Sequence, residues 1–190
     1  MRVLVACEFS GTVREAFAAK GHDAWSCDLL PTERPGQHIE GDVLEVIRQG
    51  WDLMIAHPPC TYLAKSGARW WAGRRAEQVG ALEFVQALMA APVTRIAIEN
   101  PSGRISTAIR KPDQTIQPWQ FGHPESKATC LWLKNLPPLS PTDTLATPAS
   151  GRWSNQTPSG QNKLGPSPNR WRERSRTYSG IAAAMAEQWG

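Results

Sequence analysis

The sequence predicts an α/β fold of the doubly wound, Rossmann-like kind, and three observations carry that prediction. Short apolar runs alternate with helix-spaced segments over residues 3–98, the pattern of strands covered by helices on both faces. Several of these runs stop at a glycine or an acidic residue, the usual punctuation of strand–helix junctions. The run Met54-Ile55-Ala56 stops at His57-Pro58-Pro59-Cys60. Two prolines there fix their own φ and bias their predecessors away from helix, which sets Cys60 on a stiff turn beyond a strand end.

Val3–Cys7 reads as a buried strand, followed by the turn Glu8-Phe9-Ser10-Gly11-Thr12. Val13, Ala16, Phe17 and Lys20 fall at helical spacing, and Gly21 is a good helix stop. His22–Cys27 returns as a strand that ends at Asp28, and this strand–helix–strand unit implies a right-handed crossover with parallel pairing. Gly41-Asp42 precedes a short helix over Val43–Gln49, and Trp51–Ala56 is the next strand. Val79, Leu82, Val85, Leu88 and Met89 mark an amphipathic helix leading into the strand Arg95–Ile98, which ends at a turn of Glu99-Asn100-Pro101. Beyond Pro101 the alternation decays. Thr129–Leu133 is one more strand, Leu139–Arg170 is rich in Pro, Ser, Thr, Gly and Asn with few residues able to fill a core, and Ile181–Trp189 is an Ala-rich helix. A chain of 190 residues is expected to form a single domain, with residues 139–176 as a basic loop.

The formal net charge is +4. Residues 139–176 hold Arg152, Lys163, Arg170, Arg172, Arg174 and Arg176 against Asp143 and Glu173, a surplus equal to that whole net charge. A localised basic stretch suits a polyanion, although such runs are also ordinary solvated surface. The cysteines, Cys7, Cys27, Cys60 and Cys130, have neither CxxC spacing nor a regular framework, which favours a reducing cytoplasm. His22, His38, His57 and His123 fall in no ligand spacing, so no metal is expected. Glu8 interrupts the N-terminal apolar run too early for a signal peptide, and no apolar stretch approaches membrane-helix length. A cytoplasmic protein with no membrane partner is the expectation, and a monomer is the simplest oligomeric state.

Cys60 on its corner is a candidate nucleophile, since a thiolate near positive groups is competent and His57 and Lys65 are close in sequence. Free cysteines more often simply pack. Glu99 could donate a proton to a ring nitrogen if enclosure raises its pKa, or could cap a helix or pair with an arginine. Asp28 and Asp42, at successive strand–helix junctions, suit the ribose of an adenosine-containing ligand, although each alone could be a helix cap. The turn after the first strand lacks the G-x-G-x-x-G spacing, which disfavours a dinucleotide. Tyr62, Lys65, Arg69, Trp70, Trp71, Arg74 and Arg75 interleave aromatic and basic residues beside the Cys60 turn. Such a stretch can stack a base and hold its phosphates, or can pack a short helix onto the sheet.

In this order the motifs resemble those of the carbon-5 cytosine-specific DNA methyltransferases, in compact form. Phe9-Ser10-Gly11 matches that family's cofactor turn, Asp28 its ribose ligand, Asp42 its adenine-contacting acid, Pro58-Pro59-Cys60 its catalytic turn and Glu99-Asn100 its Glu-Asn motif. Phe121–Lys127 is similar to its Phe-Gly, proline, Gln-Arg-x-Arg segment, but Glu125 and Lys127 stand near the Gln and arginine positions. Tyr178-Ser179-Gly180 is similar to its closing motif, with Ser for part of the pattern. The resemblance implies a methyltransferase fold, S-adenosylmethionine as cofactor, and double-stranded DNA as partner with the target base flipped out. It implies Cys60 as nucleophile and Glu99 as acid at ring nitrogen 3. Glu8, Phe9, Ser10, Gly11, Asp28, Leu29, Asp42, Pro58 and Ser179 would line the cofactor site. Asn100, Tyr62, Lys65, Arg69, Lys127, Arg172, Arg174 and Arg176 would contact substrate. The family's target-recognition region is replaced here by residues 139–176, which predicts short or relaxed specificity and suits a phage-borne modification enzyme. The alternatives are an amino-directed DNA methyltransferase, an enzyme modifying carbon 5 of a free pyrimidine nucleotide, and an inactive nucleic-acid-binding relative.

Overall fold

The computed structural model describes residues 1–159 and 162–190; residues 160 and 161 of the expected basic loop lie outside the described residues. Strands β1 (Arg2–Ala6), β2 (Asp23–Asp28), β3 (His38–Glu40), β4 (Leu53–Ala56), β5 (Arg95–Pro101), β6 (Gln114–Ile116) and β7 (Thr129–Lys134) form one seven-stranded sheet in the order β3-β2-β1-β4-β5-β7-β6. The first five strands are parallel, as the alternation predicts. β7 runs antiparallel to both β5 and β6, so the sheet is mixed.

The helices are α1 (Thr12–Ala19), α2 (Val43–Val46), α3 (Arg75–Met89), α4 (Arg104–Ala108), α5 (Arg170–Ser175) and α6 (Ser179–Trp189), with 3-10 helices at Lys65–Gly73 and Pro118–Gln120. One core joins Leu4, Met54, Ile96, Ile98 and Trp132 of the sheet to Val43, Val85, Leu88 and Ile105 of α2, α3 and α4. The other joins Val3, Val5, Leu53, Ile55 and Ala97 to Val13 and Phe17 of α1 and Ile181, Met185 and Trp189 of α6. Helices on both faces explain why the central strands read as continuous apolar runs, since neither side alternates with solvent.

Several elements depart from the expectations. Glu99 and Asn100 do not lie on a turn: β5 continues through Pro101, because β7 supplies partners for Glu99 (Leu131), Asn100 (Cys130) and Pro101 (Thr129) after β4 has ended at the Ala56–Ile98 pair. β3, β6, α4 and α5 are too short to show a period, while the short helix that was one of the two readings of the Tyr62–Arg75 stretch is present as the 3-10 helix at 65–73. Val79 is 52% exposed, while the polar Gln78 is buried on α3. Gln78 is accommodated because its amide donates to the Tyr62 carbonyl and accepts from Arg104 Nε. Within the expected loop, Leu139 and Trp153 are buried, Trp153 stacking on Trp119. Asn155 exchanges side-chain hydrogen bonds with the backbone of Ser126, which ties the loop to the 121–127 segment.

Candidate functional site

The chain builds outward from β1 to β2 and β3, then returns to place β4 on the other side of β1. That reversal opens a crevice between the carboxyl ends of β1 and β4, the place where open α/β sheets bind ligands. The β1 side presents Cys7–Gly11 and the β4 side His57–Cys60. A small cavity of about 40 Å³ between them is lined by Cys7, Glu8, Phe9, Ser10, His57, Ser175 and Thr177.

The β1 turn is held from within. Cys7 adopts φ 58°, a left-handed conformation that is rare outside glycine and concentrates at ligand clamps. Glu8 is buried and accepts hydrogen bonds from the Val13 and Arg14 amides and from Ser10 Oγ. Its carboxylate thus satisfies the free N–H groups that open α1. Ser10 Oγ accepts from the Thr12 amide. The polar side chains of Glu8 and Ser10 are therefore engaged in shaping the turn, and Phe9 between them is buried. Arg14, almost wholly buried, donates to the carbonyls of Arg34 and Pro35 and so ties the β2–β3 loop to α1. Nothing in the local sequence pattern pointed to Arg14.

Asp28 ends β2, where its carboxylate accepts from the Leu30 amide and burial raises its pKa. Asp42 caps α2 by accepting from the Leu44 amide. Both carboxylates lie close enough to Cys7 to push its thiol up, on top of the larger effect of burial. The two acids thus converge on the first turn, and Leu29 between them is 75% exposed.

On the β4 side, buried Pro58 offers its carbonyl to Asn100 Nδ2 at 2.7 Å. Asn100 therefore braces the Pro-Pro-Cys turn from β5, while its Oδ1 is buried with no partner. The exit of the same turn is pinned where Lys65 N donates to Ser102 O and Arg104 N to Leu63 O. At this crossing a Cβ on Gly103 would lie 1.9 Å from the Leu63 carbonyl oxygen. Only glycine lets the two backbones approach so closely.

Cys60 is exposed at the rim. Burial of its surroundings and the Glu99 carboxylate push its thiol above the ordinary range, while Arg174 and Lys127 pull it down. The cations acting on Cys60 are therefore not the sequence neighbours His57 and Lys65. His57 turns the other way, its Nδ1 2.8 Å from Glu99 Oε2, with side chains only 7% and 13% exposed. The rise in pKa expected of Glu99 from enclosure does not occur. Burial alone would raise its pKa, but the hydrogen bond and charge of His57, with the charge of Lys127, outweigh it and hold the carboxyl below its usual value. An ionised carboxylate only accepts, so Nδ1–H donates and His57 Nε2 faces away, buried and without a partner.

A C-terminal strap crosses this site. Trp171 packs against Phe9 with ring centroids 5.7 Å apart, and Arg172 lies over the same ring. Arg176 pairs in bidentate fashion with Glu33 of the β2–β3 loop, and Arg172 lies 3.6 Å from the same carboxylate. Lys127 Nζ donates to the carbonyls of Arg174 and Arg176, and Tyr178 Oη donates to Glu125. Glu125 and Lys127 thus hold the strap. Of the strap arginines predicted to contact substrate, Arg172 and Arg176 face Glu33, while Arg174 acts on Cys60. Ser179 is exposed and does not line the small cavity; its hydroxyl lies 3.5 Å from His123 Nε2, which accepts from the Gly180 amide.

The 65–73 helix buries none of its residues. Trp70 is 59% exposed beneath Arg69, while Trp71 lies under Arg104 and Tyr62 under Arg74. Tyr62, Lys65, Arg69 and Trp70 therefore form an aromatic and cationic face beside Cys60 rather than a core contact.

One consequence concerns the thiol. Arg174→Ala removes a charge that favours the thiolate, so alkylation of Cys60 by iodoacetamide is expected to slow roughly twofold to fivefold at a fixed pH below the thiol pKa. The rate–pH curve moves to higher pH, because a raised pKa leaves less thiolate at any given pH. An unshifted curve would show that Arg174 does not act on the thiol.

No helix of the described residues is long and apolar enough to cross a membrane, and among them no cluster of three or more His, Cys, Asp or Glu is placed to hold a metal. Compared with known proteins, the chain matches no family model and none of the curated proteins.

Proposed function

We propose that this chain has a methyltransferase fold and transfers a methyl group from S-adenosylmethionine to carbon 5 of cytosine in DNA, through a covalent bond from Cys60, with short or relaxed sequence specificity. The observation that carries this reading is the placement of Cys60, on the turn that follows β4, within electrostatic reach of Glu99 on the adjacent strand β5, beside the β1/β4 crevice. The chemistry of the crevice suits the cofactor: an aromatic ring (Phe9), two converging acids (Asp28 and Asp42) and a buried, unpartnered ring nitrogen (His57). Its volume does not, as it stands. Small-molecule pockets run to roughly 300 Å³ or more, so the strap at 170–177 has to lift from Phe9 to admit an adenosyl group. When bound, the cofactor supplies an electrophilic methyl on a sulfonium sulfur.

The residues of this chain do the rest. Cys60 loses its proton to solvent and its sulfur lone pair forms a bond to carbon 6. Nitrogen 3 takes a proton, and the displaced ring electrons make carbon 5 the nucleophile that accepts the methyl. The carbon-5 proton passes to water, the carbon–sulfur bond breaks with its electron pair returning to Cys60, and the nitrogen-3 proton goes back to the His57–Glu99 pair, which restores the aromatic ring and leaves the demethylated cofactor to depart as a thioether. Glu99 rests ionised, so the His57–Glu99 pair takes up one proton with substrate before nitrogen 3 receives it. The same carboxylate accepts from the exocyclic amino group of cytosine, a donor that thymine lacks. Asn100 holds the Cys60 turn, and the Tyr62–Trp70 face stacks and steadies the flipped strand.

The decisive experiment incubates the protein with labelled S-adenosylmethionine and several DNAs and maps the modified base; label on carbon 5 of cytosine is the expected result. Absence of label from every nucleic acid and nucleotide overturns the reading. Trp70→Ala is expected to weaken DNA binding about tenfold, the loss of one stacked base, with little change in salt dependence because no phosphate contact is removed.

A free pyrimidine nucleotide as substrate is favoured by one specific observation, the pairing of Arg172 and Arg176 with Glu33, which removes two cations from a DNA-facing surface. Binding to long DNA that weakens steeply with salt excludes this second reading, because counterion release requires several phosphate contacts.

A further inference from the structure

We propose that His57 is a positioning residue with two faces, one fixing Glu99 through Nδ1 and the other receiving the ammonium of the cofactor's amino-acid end at Nε2. The inference rests on the cofactor assignment above and adds to it the contact that joins the cofactor pocket to the catalytic carboxylate.

The His57 side chain is 7% exposed, and its Nε2 is buried without a hydrogen-bond partner. Buried polar atoms are rarely left unpaired, and an orphan of this kind calls for an explanation. His57 lines the small cavity together with Cys7, Glu8, Phe9 and Ser10. Strand order then decides which part of an adenosyl ligand meets it. Asp28 and Asp42 belong to the β2 and β3 side of the crevice, so a nucleoside held there leaves its remaining end to run across β1 toward β4. His57 follows the last residue of β4, with Cys60 three positions further along.

Charge selects the group. The charged side chain lining the cavity is Glu8, and Glu99 lies directly behind the imidazole. Glu8 is occupied by the amides that open α1, so the selecting charge is that of Glu99, and with no lysine or arginine in the lining it favours a cation over an anion at Nε2. An ammonium arriving at Nε2 takes over the positive charge that His57 places beside Glu99: the ring keeps its proton at Nδ1, committed to Glu99, and the lone pair left at Nε2 accepts from the ammonium N–H. The hydroxyls of Ser175 and Thr177, on the strap over the same cavity, are the competing partners for that nitrogen.

The test separates the two ring nitrogens. The amide nitrogen of Asn replaces Nδ1 as the donor to Glu99 and the amide oxygen of Gln replaces Nε2 as an acceptor, so His57→Asn keeps the Glu99 contact while His57→Gln keeps an acceptor in the cavity. Binding is measured by calorimetry for S-adenosylhomocysteine, which carries the amino-acid end, and for 5′-methylthioadenosine, which lacks it. His57→Asn is expected to lose about tenfold in affinity for S-adenosylhomocysteine, as for a hydrogen bond to a charged group, and to bind 5′-methylthioadenosine as the wild type does. His57→Gln is expected to hold S-adenosylhomocysteine within about threefold but to lose methyl transfer through kcat, because Glu99 has lost its donor. Equal affinity of wild type and His57→Asn for S-adenosylhomocysteine overturns the inference and assigns Nε2 to the strap hydroxyls. Parallel loss of both ligands in His57→Asn also overturns it, since the effect would then be on the whole pocket. Wild type that binds neither ligand overturns the cofactor assignment itself, and this inference with it.

Discussion

Cys60→Ala is expected to abolish methyl transfer, by a factor on the order of 10⁴ or more, since removing a covalent nucleophile takes away the whole reaction path. It should equally abolish the denaturation-resistant adduct with DNA containing 5-fluorocytosine, formed with S-adenosylmethionine present and read as a band shift on a denaturing gel. Thermal stability should change little, because Cys60 lies exposed at the rim and fills no core position. The three readouts together discriminate among the rival functions. An amino-directed methyltransferase survives the substitution, an inactive relative forms no adduct even as wild type, and a variant that merely unfolds loses its melting transition. Methyl transfer by Cys60→Ala at near wild-type rate would remove Cys60 from the mechanism.

Gly103→Ala is expected to lower stability by about 2–4 kcal/mol and to inactivate whatever molecules remain folded. The new methyl would lie 1.9 Å from the Leu63 carbonyl oxygen, so one of the two backbones has to move. Movement loses the hydrogen bonds from Lys65 N to Ser102 O and from Arg104 N to Leu63 O, each contributing about 1 kcal/mol. It also carries away the exit of the Cys60 turn, three residues after Cys60. Gly73→Ala is the control, since a Cβ there meets nothing within 4 Å. Equal melting temperatures for the two variants would show that the Leu63–Gly103 crossing is more compliant than its geometry implies.

What could be read from the sequence divides along a physical line. The four central parallel strands announce themselves because burial on both faces removes polar residues from them. The Pro-Pro-Cys corner is equally legible, since proline acts on the backbone directly. Short elements such as β3, β6 and α4 carry too few residues for a period to emerge. The extension of β5 through Glu99 and Asn100 was invisible because it depends on β7, roughly thirty residues away, and local composition knows nothing of that partner. The ionisation of Glu99 was misjudged for the same reason. Enclosure was foreseeable, but the imidazole that outweighs it arrives from the end of a neighbouring strand. The strap was hidden more thoroughly. A Pro/Ser/Asn-rich stretch looks like solvent-facing chain, and only the packing of Trp171 on Phe9 and the pairing of Glu33 with Arg172 and Arg176 show otherwise.

The extension of β5 beyond the end of β4 also bears on how Cys60 and Glu99 move relative to each other. Glu99 stands in the β5–β7 ladder, the class of backbone whose amides exchange with solvent only on large-scale opening. Cys60 stands in an irregular turn held through Asn100 on one side and the Gly103 crossing on the other. Slow deuterium uptake at residues 97–101 and fast uptake at residues 59–67 would mark a fixed carboxylate and a mobile thiol. Alignment of the pair would then be a matter of how far one turn swings, against a partner that stays still.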